Sequence, residues 1–257
     1  MFPPVWYDTS SLEWPYPQPP EKRVIEASSY AGILVPSGST RPSARFSKPS
    51  PSILWQTAPV RIIAGSLRGR SFDAPVGRGT RPMLDRVREA IFSTLAPRLE
   101  DAFVLDLFAG SGGLSFESLS RGARRARPIE SDRKAFAFLK RNLESLGVED
   151  RADPVRADAL DPRAWGGEPA DITFLDPPYP WLKKQKERCA IFEGVRILLT
   201  EAVAPTGLIV FHAPRNAVSA GEFGKGLELS ERIYGSNSIW YVERGEDWSR
   251  PERSDDG

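Results

Sequence analysis

Short apolar runs alternate with longer stretches of helical periodicity along most of the chain, and no other feature limits its fold as much. Runs at 102–107 (AFVLDL), 126–130 (ARPIE), 171–175 (DITFL) and 207–213 (GLIVFHA) read as strands, with a weaker one at 152–157. Helical stretches lie near 113–121, 132–146 and 186–200. Ahead of them, "MLDRVREAIFSTLAPRL" spaces Leu84, Val87, Ile91 and Leu95 three, four and four residues apart, the stripe of an amphipathic helix. "VRIIAGSLRGRSFDAP" predicts two short strands around a Gly-containing turn, a small basic hairpin. "LELSERIY" and "SIWYVER", separated by Gly-Ser-Asn, predict a closing antiparallel pair. Strand–helix alternation of this kind gives an α/β fold, a Rossmann-like and mostly parallel sheet with helices on both faces. Seven strands are expected. Ligands on such sheets bind beyond the carboxyl ends of the strands.

Residues 1–59 differ from the rest. They are rich in Pro and Ser without a sustained apolar period, and predict a mostly disordered leader with a docking stretch at Val5-Trp6-Tyr7. The expected organisation is this leader, a basic hairpin segment over 60–82, an α/β domain over 83–244 and a polar tail over 245–257. Apolar residues make up 40% of the 257 and charged residues 27%, which suits a soluble globular core. No apolar run approaches membrane-spanning length, and the first residues lack a basic region followed by an apolar one. A cytoplasmic, monomeric protein is the expectation. One cysteine, Cys189, cannot close an intramolecular disulfide and reads as buried filler; with one histidine, His212, it makes no metal cluster. His212 lies at a strand end, within approach of the site, and reads as a structural or hydrogen-bonded histidine. The net charge of +1 conceals seven arginines between Arg61 and Arg88 against Asp73 and Asp85, a cluster that permits a nucleic-acid partner.

Three strand ends carry chemistry. "VLDLFAGSGGLSFESL" runs a strand into Asp106, then a loop with Gly110, Gly112 and Gly113, then a helix. Glycines let backbone approach a ligand closely, and a helix start presents free N–H groups. An ordinary turn and a dinucleotide site compete for the pattern. Asp106 opposes the second, because a carboxylate there repels a pyrophosphate but welcomes a cationic amino acid or sulfonium. At the next strand end Glu130 alone reads as a solvated acid, but one βα unit after a Gly-rich turn it reads as the acceptor of both hydroxyls of a ribose. Further on Asp158, a weaker signal, can reach an adenine amine.

Asp176-Pro177-Pro178-Tyr179 closes the next central strand. Proline has no N–H and a fixed φ, so this loop offers acceptors and little else. An exocyclic amine has two N–H donors; the Asp176 carboxylate and the Pro177 carbonyl can accept one each, and the Tyr179 ring can stack on the attached base.

These residues resemble the class I S-adenosylmethionine-dependent methyltransferases. "RIIAGSLRGRSFDAP", "TRPMLDRVREAIFSTL", "VLDLFAGSGGLSFESLSRGA" and "FLDPPY", in that order from about 60 to 244, resemble the RsmD family of 16S ribosomal RNA guanine-N2 methyltransferases. The resemblance implies methyl transfer from S-adenosylmethionine to the N2 amine of a guanine in small-subunit rRNA, within a subunit or an assembly intermediate, without metal or membrane. It implies that Asp106, Phe108, Gly110 and Gly112 hold the methionine part, Glu130 the ribose, Asp158 and Ala159 the adenine, and Asp176 through Tyr179 the guanine. Thr80, Arg81 and Arg86 to Glu89 match the segment that lines the site and RNA path. Arg68, Arg70, Arg81, Arg86, Arg88, Lys183 and Lys184 are the expected RNA contacts. Arginines 121, 124, 125 and 127 read as solvated surface, in preference to a second RNA contact. Met83 stands where the family usually has a small hydroxyl residue, and Pro128 interrupts a strand that should place Glu130. An adenine-N6 methyltransferase, a nicotinamide oxidoreductase and a non-catalytic rRNA-binding assembly factor are the competing functions.

Overall fold

The structure, a computed structural model, describes residues 57–75 and 83–249. The docking stretch at 5–7, most of the leader, Thr80, Arg81 and the end of the tail lie outside the described residues. The basic hairpin pairs β1 (Thr57–Arg61) with β2 (Ser71–Pro75), so it begins inside the segment assigned to the leader. There follow α1 (Asp85–Leu99), β3 (Phe103–Leu107), α2 (Gly113–Ser120), β4 (Arg125–Ile129) and α3 (Arg133–Leu146). A short α4 (Pro162–Trp165), β5 (Ala170–Leu175), α5 (Gln185–Glu201), β6 (Val203–Pro214), β7 (Leu227–Tyr234) and β8 (Asn237–Arg244) complete the order. The main sheet runs β4-β3-β5-β6-β8-β7, with β4, β3, β5 and β6 paired in parallel and β8 antiparallel to both β6 and β7.

That sheet has six strands, not seven, and Pro128 explains the difference. The expected strand near 152–157 lies beside β4 but makes only two isolated bridges, Ala126 with Ala152 and Ile129 with Val155. Asp153 N donates to Ala126 O, Val155 N to Pro128 O, and Glu130 N to Val155 O. The Pro128 carbonyl therefore faces this segment, as would its N–H, which proline lacks. One ladder bond is missing between Ala126 and Glu130, and the pairing stays broken.

Side chains alternate across each strand, and the two rows pack on different helices. Val104, Ile172, Phe174, Val210 and Ile239 face a core built with α1, α2, α3 and the hairpin. Phe103, Leu105, Leu107, Ile209 and Phe211 face a second core with α4 and α5. In α1 the expected stripe is buried at Val87, Ile91 and Leu95 and continues to Leu99, but Leu84 caps the helix and stands 49% exposed. Met83 packs partly buried against this core. The carboxylate of Asp132 accepts from Lys134 N and Ala135 N to start α3, and Gly147, at φ 64°, ends it.

Buried polar groups fasten the hairpin to the domain. Glu117, 1% exposed in α2, accepts from the N–H groups of Ile63 and Ala64 at 2.9 and 3.1 Å and from Arg121 at 2.8 Å. Ser120 Oγ accepts from Leu67 N, and its carbonyl accepts from Ser66 N. Only glycine fits at Gly65: its φ is +84°, and a Cβ there would lie 1.8 Å from Ser120 O. Asn142 of α3 accepts from Asp73 N and donates to Asp73 O and to Ser111 O, tying the hairpin and the Gly-rich loop to one helix.

Candidate active site

The carboxyl ends of β3, β4, β5 and β6 bring Asp106, Glu130, Asp176 and His212 to one rim of the sheet. After β3 the chain turns through positive φ at Phe108 (63°), Gly110 (57°) and Gly112 (100°). At Gly112 a Cβ would meet the Phe116 ring at 2.4 Å, whereas at Gly110 it would meet nothing within 4 Å. Gly110 thus serves conformation and leaves clear space above the loop. Its N–H donates to Glu130 Oε2 at 2.8 Å, and Asp132 N donates to Glu130 Oε1 at 2.7 Å. A carboxylate has about four acceptor positions, so Glu130 keeps capacity for a ligand's hydroxyls.

Asp106 is buried beneath the loop, where its Oδ2 accepts from Ser115 N at 3.1 Å and Ser115 Oγ at 2.6 Å. Burial above all, with the nearby charges of Asp176 and Glu130 acting the same way, pushes its pKa up to about 7 against the Ser115 bonds. Two carboxyl groups, Asp106 and Glu130, beside one loop with open space over Gly110 suit a ligand that carries positive charge. They fit the ammonium and sulfonium of S-adenosylmethionine. Among the described residues no group of three or more His, Cys, Asp or Glu side chains is placed to hold a metal ion.

Asp158 is exposed on the same side, beyond the segment that bridges to β4, and its Oδ1 accepts from Leu160 N at 3.0 Å. Ala159 is buried, its carbonyl accepting from Trp165 Nε1 at 2.9 Å.

In the loop after β5, Pro177 is buried while Pro178 and Tyr179 are exposed. Trp181 N donates to Pro178 O at 2.8 Å, and the Trp181 ring stands edge-on to Phe108 at 5.6 Å, joining this loop to the Gly-rich one. Asp176 Oδ1 lies 2.9 Å from His212 Nδ1. His212 Nε2 lies 3.1 Å from Tyr179 Oη and 3.0 Å from Asn237 Oδ1. Burial works to lower the His212 pKa, but the Asp176 charge and the bonds to Asp176 and Asn237 outweigh it and hold it above the ordinary value. Burial, then the Asp176 charge, pushes the Tyr179 hydroxyl up to about 12. The parallel register sets Phe174 beside Val210 and Leu175 beside Phe211, so the next pair is Asp176 and His212. His212 is thus a hydrogen-bonded histidine that reaches the site, and Asn237, read only as part of the Gly-Ser-Asn turn, gave no signal for this contact.

The expected RNA contacts divide. Arg68, Arg86, Lys183 and Lys184 are exposed, with Lys184 3.4 Å from Glu187. Arg88 is only 3% exposed; it donates to Arg61 O and pairs with Asp85 and Glu117, so it braces the hairpin and cannot meet a phosphate. Burial lowers its pKa, against the raising effect of those two acids. Arg70 caps the end of α3 by donating to Leu146 O at 2.7 Å and to Ser145 O. Arg124 pairs with Glu168, and Arg125 and Arg127 with Asp153, as a salt-bridged surface. Cys189 is exposed, not buried.

A family model described as conserved hypothetical protein 95 matches residues 60–243. Over 120 residues, 47% of this chain, the sequence is 46% identical to the ribosomal RNA small subunit methyltransferase D of Escherichia coli K12. The match spans 60% of that relative's length. Among solved structures, the Escherichia coli chain yhhF, described as a candidate methyltransferase, superposes with a TM-score of 0.62 at 32% identity over 73% of this chain and 99% of its own. The precorrin-6y C5,15-methyltransferase of Geobacter metallireducens shares the fold alone, with a TM-score of 0.52 at 18% identity over 68% of this chain and 94% of its own. The architecture is that of the class I methyltransferases.

Proposed function

The chain belongs to the RsmD family, whose model is described as conserved hypothetical protein 95, and from that membership we propose that it methylates the exocyclic N2 amine of a guanine in 16S rRNA. The observation that carries the proposal is the placement of Asp176 to Tyr179 on the same rim as Gly110 and Glu130, with Asp176 and Tyr179 both tied to His212. S-adenosylmethionine, when bound, supplies a methyl group activated by its sulfonium. Glu130 takes the ribose hydroxyls, Asp158 and the Ala159 backbone the adenine, and the Phe108–Gly112 turn the methionine part. Asp106, buried and bonded to Ser115, acts through its charge and by fixing the start of α2.

Asp176 and the Pro177 carbonyl accept the two amine hydrogens, which orients the nitrogen lone pair and makes it more nucleophilic. Tyr179 offers its exposed ring face to the base. Positioning carries most of the rate in such a displacement, so no strong base is required. The substrate is rRNA in a small subunit or assembly intermediate, met by Arg68, Arg86, Lys183 and Lys184, and the enzyme acts as a cytoplasmic monomer. Mass spectrometry of rRNA nucleosides from cells with and without the gene tests this. Loss of one N2-methylguanosine is expected; an unchanged nucleoside profile, or loss of an N6-methyladenosine instead, contradicts it.

A further inference from the structure

We propose that His212 is a positioning residue for methyl transfer, holding the amine acceptor Asp176 and the base platform Tyr179 in one hydrogen-bonded unit; this rests on the function proposed above. The imidazole is buried in β6, 4% exposed, and reaches the loop after β5 on one side and β8 on the other. Asp176 Oδ1 at 2.9 Å can only accept, so Nδ1 carries a proton and donates to it. Asn237 Nδ2 donates to Tyr234 O at 3.3 Å, which turns Oδ1 of that amide toward the imidazole, 3.0 Å from Nε2. Two acceptors thus face the two ring nitrogens. The protonated ring satisfies both, while Tyr179 Oη, 3.3 Å from Asn237 Oδ1, donates to the same amide oxygen.

In the neutral ring Nε2 becomes an acceptor facing Asn237 Oδ1, and only a rotated Tyr179 hydroxyl can donate to it. Protonation of His212 therefore sets both the counter-charge of Asp176 and the direction of the Tyr179 hydroxyl. The groups around it are Asp176 and Tyr179 from the loop after β5 and Asn237 from β8, with Asp106 acting on Asp176 from β3. With one Asp176 oxygen fixed by the ring, Oδ2 is the oxygen left for the amine.

His212 is the chain's one histidine, so untagged protein labelled with 15N-histidine gives the two ring-nitrogen signals of a single imidazole. Its titration is expected above the ordinary value of about 6.5 in the wild type and to fall in D176N. An identical midpoint in both proteins overturns the coupling. Two variants then separate the ring nitrogens in single-turnover methylation of unmodified small subunits, alongside D176A. H212N keeps a donor near the Nδ1 position, while H212Q keeps only contacts near Nε2. H212Q is expected to slow transfer by about tenfold to a hundredfold, the cost of a misplaced reacting group, and H212N to restore most of the rate. Both are expected to bind S-adenosylmethionine as the wild type does, which a merely structural role in the sheet would not ensure. H212Q at wild-type rate beside an inactive D176A overturns the role of His212 and leaves the proposed function standing. D176A at wild-type rate overturns the proposed function, and the positioning role with it.

Discussion

The carboxylate of Glu130 clasps the Gly-rich loop: its Oε2 accepts the N–H of Gly110 at 2.8 Å while Oε1 accepts the N–H of Asp132 at 2.7 Å. One side chain at the end of β4 thus shapes the loop that follows β3 and holds Asp132, the residue that caps α3. Replacing it removes both a ligand acceptor and a brace. Glu130→Ala is expected to weaken S-adenosylmethionine binding by about 1–3 kcal/mol and to speed amide exchange at Gly110. Glu130→Gln, which keeps one carbonyl acceptor, should fall between. Calorimetry and hydrogen exchange check this; equal affinity in Glu130→Ala removes the residue from the site.

Glu117 is the polar centre of the hairpin attachment. Removing it leaves the N–H groups of Ile63 and Ala64 without their carboxylate, and Arg88 buried with Asp85 as its remaining acid. Glu117→Ala is expected to cost about 3–5 kcal/mol in chemical denaturation, as breaking a buried ion pair does. A loss within about 0.5 kcal/mol, the scale of an ordinary surface change, would contradict the fastening role.

The hairpin arginines should separate in salt titrations of RNA binding. Arg68 is exposed, so Arg68→Ala is expected to reduce the slope of log affinity against log salt by about one unit. Arg70 is engaged at the end of α3, and Arg70→Ala should lower stability more than it alters that slope. Equal slope changes for the two variants would mean that Arg70 leaves its cap when RNA binds.

Asp106 predicts a pH dependence of stability with a definite sign. Its pKa rises from 3.8 to about 7 on folding, so between those values the folded state binds the extra proton. Its contribution therefore lowers stability as pH rises through that window, and the cost stays in place above it. Asp106→Asn cannot ionise. The stability of the variant relative to the wild type should increase from about pH 4 to about pH 7 and level off beyond, read from urea midpoints. A constant difference across that range would show that Asp106 titrates normally.

Much of this was legible in the sequence, because hydrophobic period and glycine placement act locally. All the expected strands but that at 152–157, with α1, the rim position of Asp106, Glu130 and Asp176, and the closing β7–β8 pair, follow from such signals. What escaped depends on distant partners. A formal charge does not reveal its burial, so Arg88 reads as an RNA contact although Glu117 had taken it, while Arg70 is exposed with its guanidinium engaged at the end of α3. Leu84 continues the apolar spacing of α1, yet falls on its cap, outside the packed turns. Pro128 was visible as an interruption, but whether its missing N–H faced β3 or the edge segment needed the bridges to settle. Glu130 stays in place because the bond from its own N–H to Val155 O survives beyond the proline. The tie from His212 to Asp176 and Asn237 needed two sheet registers at once, parallel to β5 and antiparallel to β8.

Asp176 carries the central claim, that the loop after β5 holds the amine and leaves the cofactor to the loop after β3. The most direct test is single-turnover methylation of small-subunit particles that lack the modification, by wild type and Asp176→Ala, with S-adenosylmethionine affinity measured on the same preparations. The expected result is transfer abolished in Asp176→Ala, reduced but detectable in Asp176→Asn, and cofactor affinity nearly unchanged in both, since lost orientation costs several kcal/mol of barrier without touching the cofactor contacts. Wild-type transfer by Asp176→Ala would contradict the account.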